Sequence, residues 1–191
     1  MTEGRNVLVV LGSPRREGTS ALLAAKVAEG AAEKGALVET VFLEGLRIHG
    51  CRACEACHAP GARGCVLEDD MQPLYAKLRE AEAIVLASPV YWFNVSAQLK
   101  AFIDRWYAFE TREGNVLRGK RFAIVLAYGD VDPVRAGATN ALRAFEDAFR
   151  YLRAEIVGTV YGTAFEASGA ATNERLLQQA YELGKRLLEA R

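Results

Sequence analysis

The hydrophobic positions along the chain alternate between short continuous runs and segments with helical spacing. Asn6–Gly12 (NVLVVLG) is a Val-rich apolar run, which is typical of a strand that is buried on both faces of a parallel sheet. Four further strands are predicted over Leu37–Leu43, Ala83–Ser88, Arg121–Ala127 and Ile156–Tyr161. Five segments have apolar residues at helical spacing: Leu23, Val27 and Ala31 before a stop at Gly35; Asp70–Ala81; Leu99, Phe102, Ile103 and Trp106 after Ser96; Leu142, Phe145, Phe149 and Leu152; and Leu176, Ala180, Leu183 and Leu187 in a last helix from about Thr172.

Five strands that alternate with five helices predict a doubly wound α/β fold, with a parallel sheet, right-handed crossovers and helices on both faces. The 191 residues suit one domain, and no repeat or linker divides them. One connection is unusual, because about forty residues separate the second and third strands. We therefore predict a single domain over residues 1–191, with an insertion at about 48–69 that contains every cysteine.

Charge and hydropathy exclude several classes of protein. Lys and Arg together number 24, as do Asp and Glu, so we expect neither a nucleic-acid surface nor an anionic-membrane surface. The chain has no apolar run long enough to span a bilayer. Met1–Asn6 is not followed by the apolar core and cleavage site of a signal peptide. A cytoplasmic location is the expectation.

The loop after the first strand has the chemistry of an anion site. Gly12–Ser20 (GSPRREGTS) joins a strand to a helix, where unpaired backbone N–H groups and the helix dipole favour a phosphate. The hydroxyls of Ser13, Thr19 and Ser20 can add donors, and Arg15 can add a charge. Neither a dinucleotide fingerprint nor a nucleoside-triphosphate loop is present. A helix that is merely capped by Ser or Thr is the alternative interpretation.

The loop after the third strand carries consecutive aromatic residues, Tyr91, Trp92 and Phe93. Three rings in one loop cannot all point into the core, so some are expected to cover a ligand or a partner chain. In doubly wound sheets, ligands bind beyond the carboxyl ends of the strands, between strands one and three. Both loops should meet there, which suits a planar ring on a phosphorylated chain. A dimer interface formed by the aromatic residues is the alternative, and both can hold together.

The four cysteines, Cys51, Cys54, Cys57 and Cys65, lie in one short segment. Disulfides within so short a segment would constrain little of the unfolded chain, and the spacing is that of ligands to an iron–sulfur cluster. Three alternatives stay open: zinc, with His49 or His58 replacing one thiolate, a loop without metal, and redox-active thiols. His49 and His58 are otherwise expected to be exposed loop residues.

Three stretches carry a resemblance to a known family: GSPRREGTSALL, the DDM at Asp69–Met71, and SPVYWFNVSAQLKAFIDR at Ser88–Arg105. The chain resembles the FMN-dependent NAD(P)H oxidoreductases of the flavodoxin-like superfamily, most closely the iron–sulfur flavoproteins. The resemblance implies a five-stranded sheet in the order 2-1-3-4-5. It also implies FMN as cofactor, NAD(P)H as cosubstrate and a [4Fe–4S] cluster on the four cysteines.

The resemblance further implies which residues contact the flavin. The phosphate would be held by Ser13, Arg15, Gly18, Thr19 and Ser20, and the isoalloxazine would be lined by Pro89, Val90, Tyr91, Trp92 and Phe93. The third flavin loop would follow the fourth strand at Tyr128 and Gly129, although this loop has one glycine where the family is usually glycine-rich. No catalytic side chain is expected, because the flavin supplies the chemistry.

The expected function is electron transfer from NAD(P)H through FMN to a quinone or another small acceptor, with or without the cluster. One alternative is an electron carrier between protein partners without a dedicated small-molecule substrate, and another is a cofactor-free ligand-binding domain. We also expect a homodimer or homotetramer, because one small domain should not bury all of a group of five aromatic residues around a single ligand. That group is Trp92, Phe93, Trp106, Tyr107 and Phe109. The sequence does not distinguish NADH from NADPH.

Overall fold

The computed structural model describes residues 5–111, 114–164 and 173–189. The strands are β1 (Asn6–Leu11), β2 (Leu37–Phe42), β3 (Ala83–Tyr91), β4 (Asn94–Val95), β5 (Glu110–Thr111), β6 (Gly114–Asn115), β7 (Arg121–Tyr128) and β8 (Glu155–Thr163). The helices are α1 (Thr19–Glu33), α2 (Gln72–Glu80), α3 (Ala97–Asp104), α4 (Ala138–Leu152) and α5 (Glu174–Arg186), with 3-10 helices at Ala56–His58 and Arg105–Phe109.

The main sheet is parallel, and its order is β2-β1-β3-β7-β8. This is the predicted order 2-1-3-4-5 of the five long strands, so the flavodoxin-like fold is confirmed. Helix α1, which follows β1, lies on one face of the sheet, and α2, which precedes β3, lies on the other. Because the strands are parallel, the loops after β1, β3 and β7 all lie at the same carboxyl edge.

Alternate residues of the buried strands contribute to two separate cores. Val7 and Val9 of β1 pack against α1 and α5, whereas Leu8 and Val10 pack against the layer of α2, α3 and α4. This alternation is the period of two that a strand imposes. It explains why Val7–Leu11 of β1 and Ala83–Ala87 of β3 are apolar at every position: both of their faces are covered by helices.

Helices α1 and α5 cross at two glycines. A Cβ on Gly30 would lie 2.1 Å from the carbonyl oxygen of Tyr181, and one on Gly184 would lie 2.0 Å from the carbonyl oxygen of Val27. No side chain fits at either position, so the two glycines fix how closely the helix backbones approach. Within the described ranges, no helix is long and apolar enough to cross a membrane.

The predicted strands are confirmed, with ends within three residues of the expected ones, and the largest difference is in β3. This strand extends past Ser88 to Tyr91, because Val90 and Tyr91 pair antiparallel with Val95 and Asn94 of β4. The β5–β6 hairpin was not predicted. The predicted start of the last helix, Thr172, lies outside the described residues.

The aromatic residues after α3 correct one argument made from sequence. Trp106 and Phe109 are buried in the chain's own core, where Trp106 packs edge-on against Phe102 at 5.7 Å. The chain therefore buries these two rings without a partner, because the 3-10 helix Arg105–Phe109 turns Trp106 towards α4 and the sheet and Phe109 towards Tyr75 of α2. Trp92, Phe93 and Tyr107 are the members of the group that remain exposed.

Candidate functional site

The loop between β1 and α1 forms a compact turn. The backbone N–H of Arg15 donates to Ser13 Oγ at 3.0 Å, and that of Gly18 donates to the carbonyl of Arg15 at 3.2 Å. Helix α1 then begins at Thr19, and no side chain caps it. The N–H groups of its first turn are thus left for an anion, beside the buried hydroxyls of Thr19 and Ser20.

This turn opens onto a cavity of about 540 Å³ at the carboxyl edge of the sheet. Three loops, those after β1, β3 and β7, contribute to its wall, so the two stretches that were predicted to meet do so. The lining residues are Ser13, Arg15, Glu17, Gly18, Thr19, Ser20, Pro89, Val90, Tyr91, Ala127, Tyr128, Gly129 and Ala164. Ten of the twelve predicted flavin contacts are in this set.

The other two, Trp92 and Phe93, do not line the cavity within the chain. They form the two-residue turn between β3 and β4, and both have positive φ, +46° and +65°. Such a turn normally takes Asn or Gly. The exposed fraction is 94% for Trp92 and 51% for Phe93. Their contact with a flavin stays a prediction.

Two buried serines, which the sequence analysis missed, join the walls of the cavity. Ser88 Oγ accepts from the backbone N–H of Ser96 at 2.9 Å and donates to the carbonyl of Pro89 at 2.7 Å. Ser96 Oγ in turn donates to the carbonyl of Gly12. Part of the signal for this link was present in the sequence, since Ser88 ends the buried apolar run Ala83–Ala87 and Ser96 stands directly before α3.

The residues of the cavity fit an FMN molecule. One end has the uncapped helix, the buried hydroxyls and Arg15, which suit a phosphate dianion. A Cβ on Gly18 would come within 3.3 Å of Ser13 Oγ, so a side chain at this position would require the turn to open slightly. The other end has Pro89, Val90 and Tyr91, which suit a planar apolar ring.

The four cysteines line a second, narrow cavity together with Arg105 and Tyr107. All four are free thiols; Cys51 and Cys54 are exposed, and Cys57 and Cys65 are partly buried. The cavity volume is about 20 Å³. The first arm of the loop, which carries Cys51, Cys54 and Cys57, contains two non-glycine residues in the left-handed region of the backbone, Ala53 and Glu55. It follows that the loop brings the predicted ligands to one place.

Tyr107 holds the first arm of this loop. Its hydroxyl donates to the carboxylate of Glu55 at 3.0 Å. The ring of His58 lies edge-on to the Tyr107 ring at 4.5 Å, with Nε2 3.0 Å from the Tyr107 carbonyl. Both histidines are exposed, as expected, and His58 is in addition a structural contact of the 3-10 helix Arg105–Phe109.

The second arm of the loop, which carries Cys65, is held by the DDM segment and α2. The side-chain amide of Gln72 donates to the carbonyls of Cys65 and Leu67 at 2.8 and 2.7 Å. Asp69 accepts from the backbone N–H groups of His49 and Met71 at 3.0 and 3.1 Å. The Asp69 carboxylate thus closes the base of the loop, and the second acidic residue, Asp70, accepts from the backbone N–H of Arg47 at 2.6 Å.

Electrostatics differ between the two partly buried cysteines. Burial raises the pKa of the Cys57 thiol, and repulsion from the other three cysteines raises it further. Burial alone would also raise the pKa of Cys65, but hydrogen bonds from the Leu67 backbone and from Arg105 outweigh it and lower the pKa. The positive charge of Arg105 therefore acts on Cys65 rather than on Cys57.

The cysteine loop does not form a site for a single metal ion. In the parts of the chain that are described, no three His, Cys, Asp or Glu side chains lie close enough together to bind one ion. Zinc needs four ligand atoms around one point, with Zn–S near 2.3 Å. The same finding applies to a cluster, so the zinc and the cluster interpretations of the four cysteines both stay predictions.

A cavity walled by three loops at the carboxyl edge of a 2-1-3-4-5 sheet defines the flavodoxin-like class of α/β proteins. A family model described as NADPH-dependent FMN reductase matches residues 5–168. The chain belongs to this family, and it is an oxidoreductase. The predicted family and enzyme class are thereby confirmed.

Individual relatives agree with this assignment. An iron–sulfur flavoprotein of Archaeoglobus fulgidus is 32% identical over 184 residues, which cover 95% of this chain and 78% of the relative. Another, from Methanocaldococcus jannaschii, is 31% identical and covers 96% and 95%. A solved NAD(P)H:quinone oxidoreductase from Methanothermobacter marburgensis has a TM-score of 0.76 at 17% identity, over 98% and 99% of the two chains, which supports the fold.

Proposed function

We propose that the chain binds FMN in the three-loop cavity, oxidises NADH or NADPH, and reduces a quinone or another small acceptor. FMN, when bound, accepts a hydride from the reduced nicotinamide and passes the electrons on. The observation that carries the proposal is the meeting of the uncapped α1 with Tyr91 and Tyr128 in one cavity. Family membership supports it.

The roles of the chain's own residues follow from their positions. The N–H groups of the first turn of α1, with Thr19 and Ser20, would hold the phosphate. Pro89–Tyr91 would flank the ring on one side, and Tyr128 and Gly129 on the other. Burial raises the pKa of the Tyr128 phenol. Its hydroxyl therefore stays protonated at neutral pH, as a neutral hydrogen-bond donor next to the flavin position.

We further propose that Cys51, Cys54, Cys57 and Cys65 hold a [4Fe–4S] cluster. A cluster, when bound, carries one electron at a time between the flavin and an acceptor. Each thiolate of such a cluster binds a different iron, which requires ligands that surround one cavity without closing on one point. The four cysteines line one cavity, which supports this proposal. Since the cavity is narrow, uptake requires the exposed arm with Cys51 and Cys54 to move outwards.

The second candidate function is an electron carrier between proteins, without a small-molecule substrate of its own. The exposure of Cys51 and Cys54 favours it, because a cluster at the surface can exchange electrons with a docked protein. In either function the free thiols suit the reducing cytoplasm, which we propose as the location.

We keep the proposal that the chain assembles into homodimers or homotetramers. Fewer exposed aromatic residues support it than the sequence indicated. Its support is the exposed rings of Trp92 and Phe93, together with exposed Val131 and Val134 in the loop before α4. Gly137 lies so close to Phe93 that a Cβ would be 2.5 Å from its Cα, so the turn and this loop form one surface beside the cavity.

Anaerobic purification followed by assays of FMN, iron, sulfide and zinc tests the proposal. We expect flavin absorbance bands, a broad shoulder from a cluster, and oxidation of NADH or NADPH when a quinone is added. A colourless protein that does not take up FMN would contradict the flavin assignment. Flavin and cluster without appreciable NAD(P)H oxidation would instead favour the electron carrier.

A further inference from the structure

Arg105 is the largest fully buried side chain described in the structure, with 1% of its surface exposed. It begins the 3-10 helix that follows α3, and its guanidinium reaches into the base of the cysteine loop. Nη1 donates to Asp69 Oδ2 at 2.5 Å and to the carbonyl of His49 at 2.9 Å. A buried charge is tolerated only when it is paired in this way.

The same guanidinium also points at a cysteine. Nη2 donates to Cys65 Sγ at 3.4 Å, and Arg105 lines the cavity with all four thiols. Its Nε is buried and has no hydrogen-bond partner among the described residues. An arginine has five N–H donors, so the ion pair with Asp69 does not use its full capacity, and the remaining capacity lies at the cysteine cavity.

The charge of the proposed cluster matches this arrangement. An iron–sulfur core bound by four thiolates is a net anion, and it becomes more negative by one charge on reduction. Its reduction potential depends on nearby charge and on hydrogen bonds to the sulfur atoms. A fixed guanidinium at one ligand sulfur therefore stabilises the reduced form more than the oxidised form.

We propose that Arg105 is a positioning residue of the cysteine site, which fixes Cys65 as a ligand and raises the reduction potential of the cluster. This inference rests on the proposed function, because it requires that the four cysteines hold a cluster. The role is specific to Arg105: the other anchor on the same helix, Tyr107, carries no positive charge, contacts Glu55 and His58, and donates to no sulfur among the described residues.

Three variants separate the role of Arg105 from loop anchoring. Arg105→Lys keeps the charge but loses the fork of donors. Arg105→Met with Asp69→Asn removes the ion pair as a unit, so no unpaired charge is left in the core. Tyr107→Phe is the matched control, since it loosens the first arm of the loop from the same helix and leaves the contacts at Cys65 in place.

The measurement is a potentiometric titration of each anaerobically purified protein, with the cluster followed by electron paramagnetic resonance and the flavin by absorbance. In the double variant we expect the ratio of reduced to oxidised cluster, at a fixed solution potential, to be about tenfold lower than in wild type. For one electron this ratio equals a fall of about 59 mV. In Arg105→Lys we expect a smaller fall. The flavin potential and FMN content should not change, because Arg105 is not in the flavin cavity.

Cluster potentials equal to wild type in both Arg105 variants would overturn the inference and leave the proposed function standing. An equal fall in Tyr107→Phe would also overturn it, because the effect would then come from loop anchoring. If the double variant does not fold, Arg105→Lys alone decides. A wild-type protein that takes up no iron and sulfide on reconstitution would refute the cluster itself, and the inference with it.

Discussion

The hydroxyl of Ser96 donates a hydrogen bond of 2.6 Å to the carbonyl of Gly12, across 84 positions of the chain. Both residues are buried, and a Cβ on Gly12 would lie 2.7 Å from Leu99 Cβ. The phosphate loop is thereby fixed to the start of α3, and through Ser88 to Pro89. The loops after β1 and β3, which both line the three-loop cavity, are thus fixed relative to each other by one side chain.

Replacement of Ser96 by Ala should affect both stability and flavin binding. The change removes the bond to Gly12 and the cap at the backbone N–H of Leu99 (3.2 Å), and it leaves a buried carbonyl unpaired. We expect the free energy of unfolding, measured by urea titration, to fall by about 1–3 kcal/mol, with a higher Kd for FMN.

Asn173→Ala is the control for this change. Asn173 caps α5 in the same manner, through a 3.0 Å bond from the backbone N–H of Leu176, and it is not part of the flavin cavity. We expect a loss of about 1 kcal/mol in stability and an unchanged Kd for FMN. Equal effects of both substitutions on FMN binding would show that Ser96 acts only through global stability.

Two adjacent arginines make a matched pair for the phosphate contact. Arg15 lines the flavin cavity, whereas the guanidinium of Arg16 lies over the ring of Phe42 at 4.3 Å. Arg15→Ala should raise the Kd for FMN about fivefold, about 1 kcal/mol for an exposed charge-assisted contact, and the effect should shrink at high salt. If Arg16→Ala weakens binding as much, the phosphate is not held at Arg15.

Replacement of Trp92 in the turn between β3 and β4 should raise stability and weaken binding. A bulky residue at positive φ costs about 1 kcal/mol, and Asn is favoured at this position of such a turn. Trp92→Asn should therefore raise the unfolding free energy of the chain slightly, while it weakens FMN retention or acceptor binding. Tyr151→Asn, which removes another exposed ring at the end of α4, should change neither binding measurement.

Acid unfolding should report on Asp69. Burial would raise the pKa of this carboxyl, but the hydrogen bonds from Arg105, His49 and Met71 outweigh it and lower the pKa below its usual value. A depressed pKa contributes stability above the unfolded value, near 3.9, and this contribution is lost as the pH falls through the folded value. Wild type should lose this stability below about pH 4.

Asp69→Asn should lack this pH dependence. It should be less stable than wild type at pH 7 by about 3–5 kcal/mol, because it leaves Arg105 buried without its charge partner. The gap should close as the pH falls below about 4. Asp147→Asn, in an exposed group with Arg143 and Arg150, should cost less than about 1 kcal/mol. Equal losses from the two substitutions would mean that burial adds nothing to the Asp69–Arg105 pair.

Sequence reasoning located the three-loop cavity because its parts are local. The helix N-terminus after Ser13 and the apolar-to-aromatic change at Pro89 are each read from a few adjacent residues, and parallel strands place both at one edge. The position of Trp92 was beyond this reasoning. Whether its ring turns inwards depends on pairing between Tyr91 and Asn94, which has no sequence signal as strong as Asn-Gly.

The sequence by itself determined the alternation of strands and helices, the carboxyl-edge site and the clustering of four thiols, because each depends on hydrophobic period or on spacing along the chain. Only the tertiary structure decided that Arg105 meets Cys65 and Asp69, and that Ser96 meets Gly12. These contacts join residues far apart in sequence, and their partners are chosen by how helices pack on the sheet. Burial then makes each contact matter, since a polar group removed from water needs a partner.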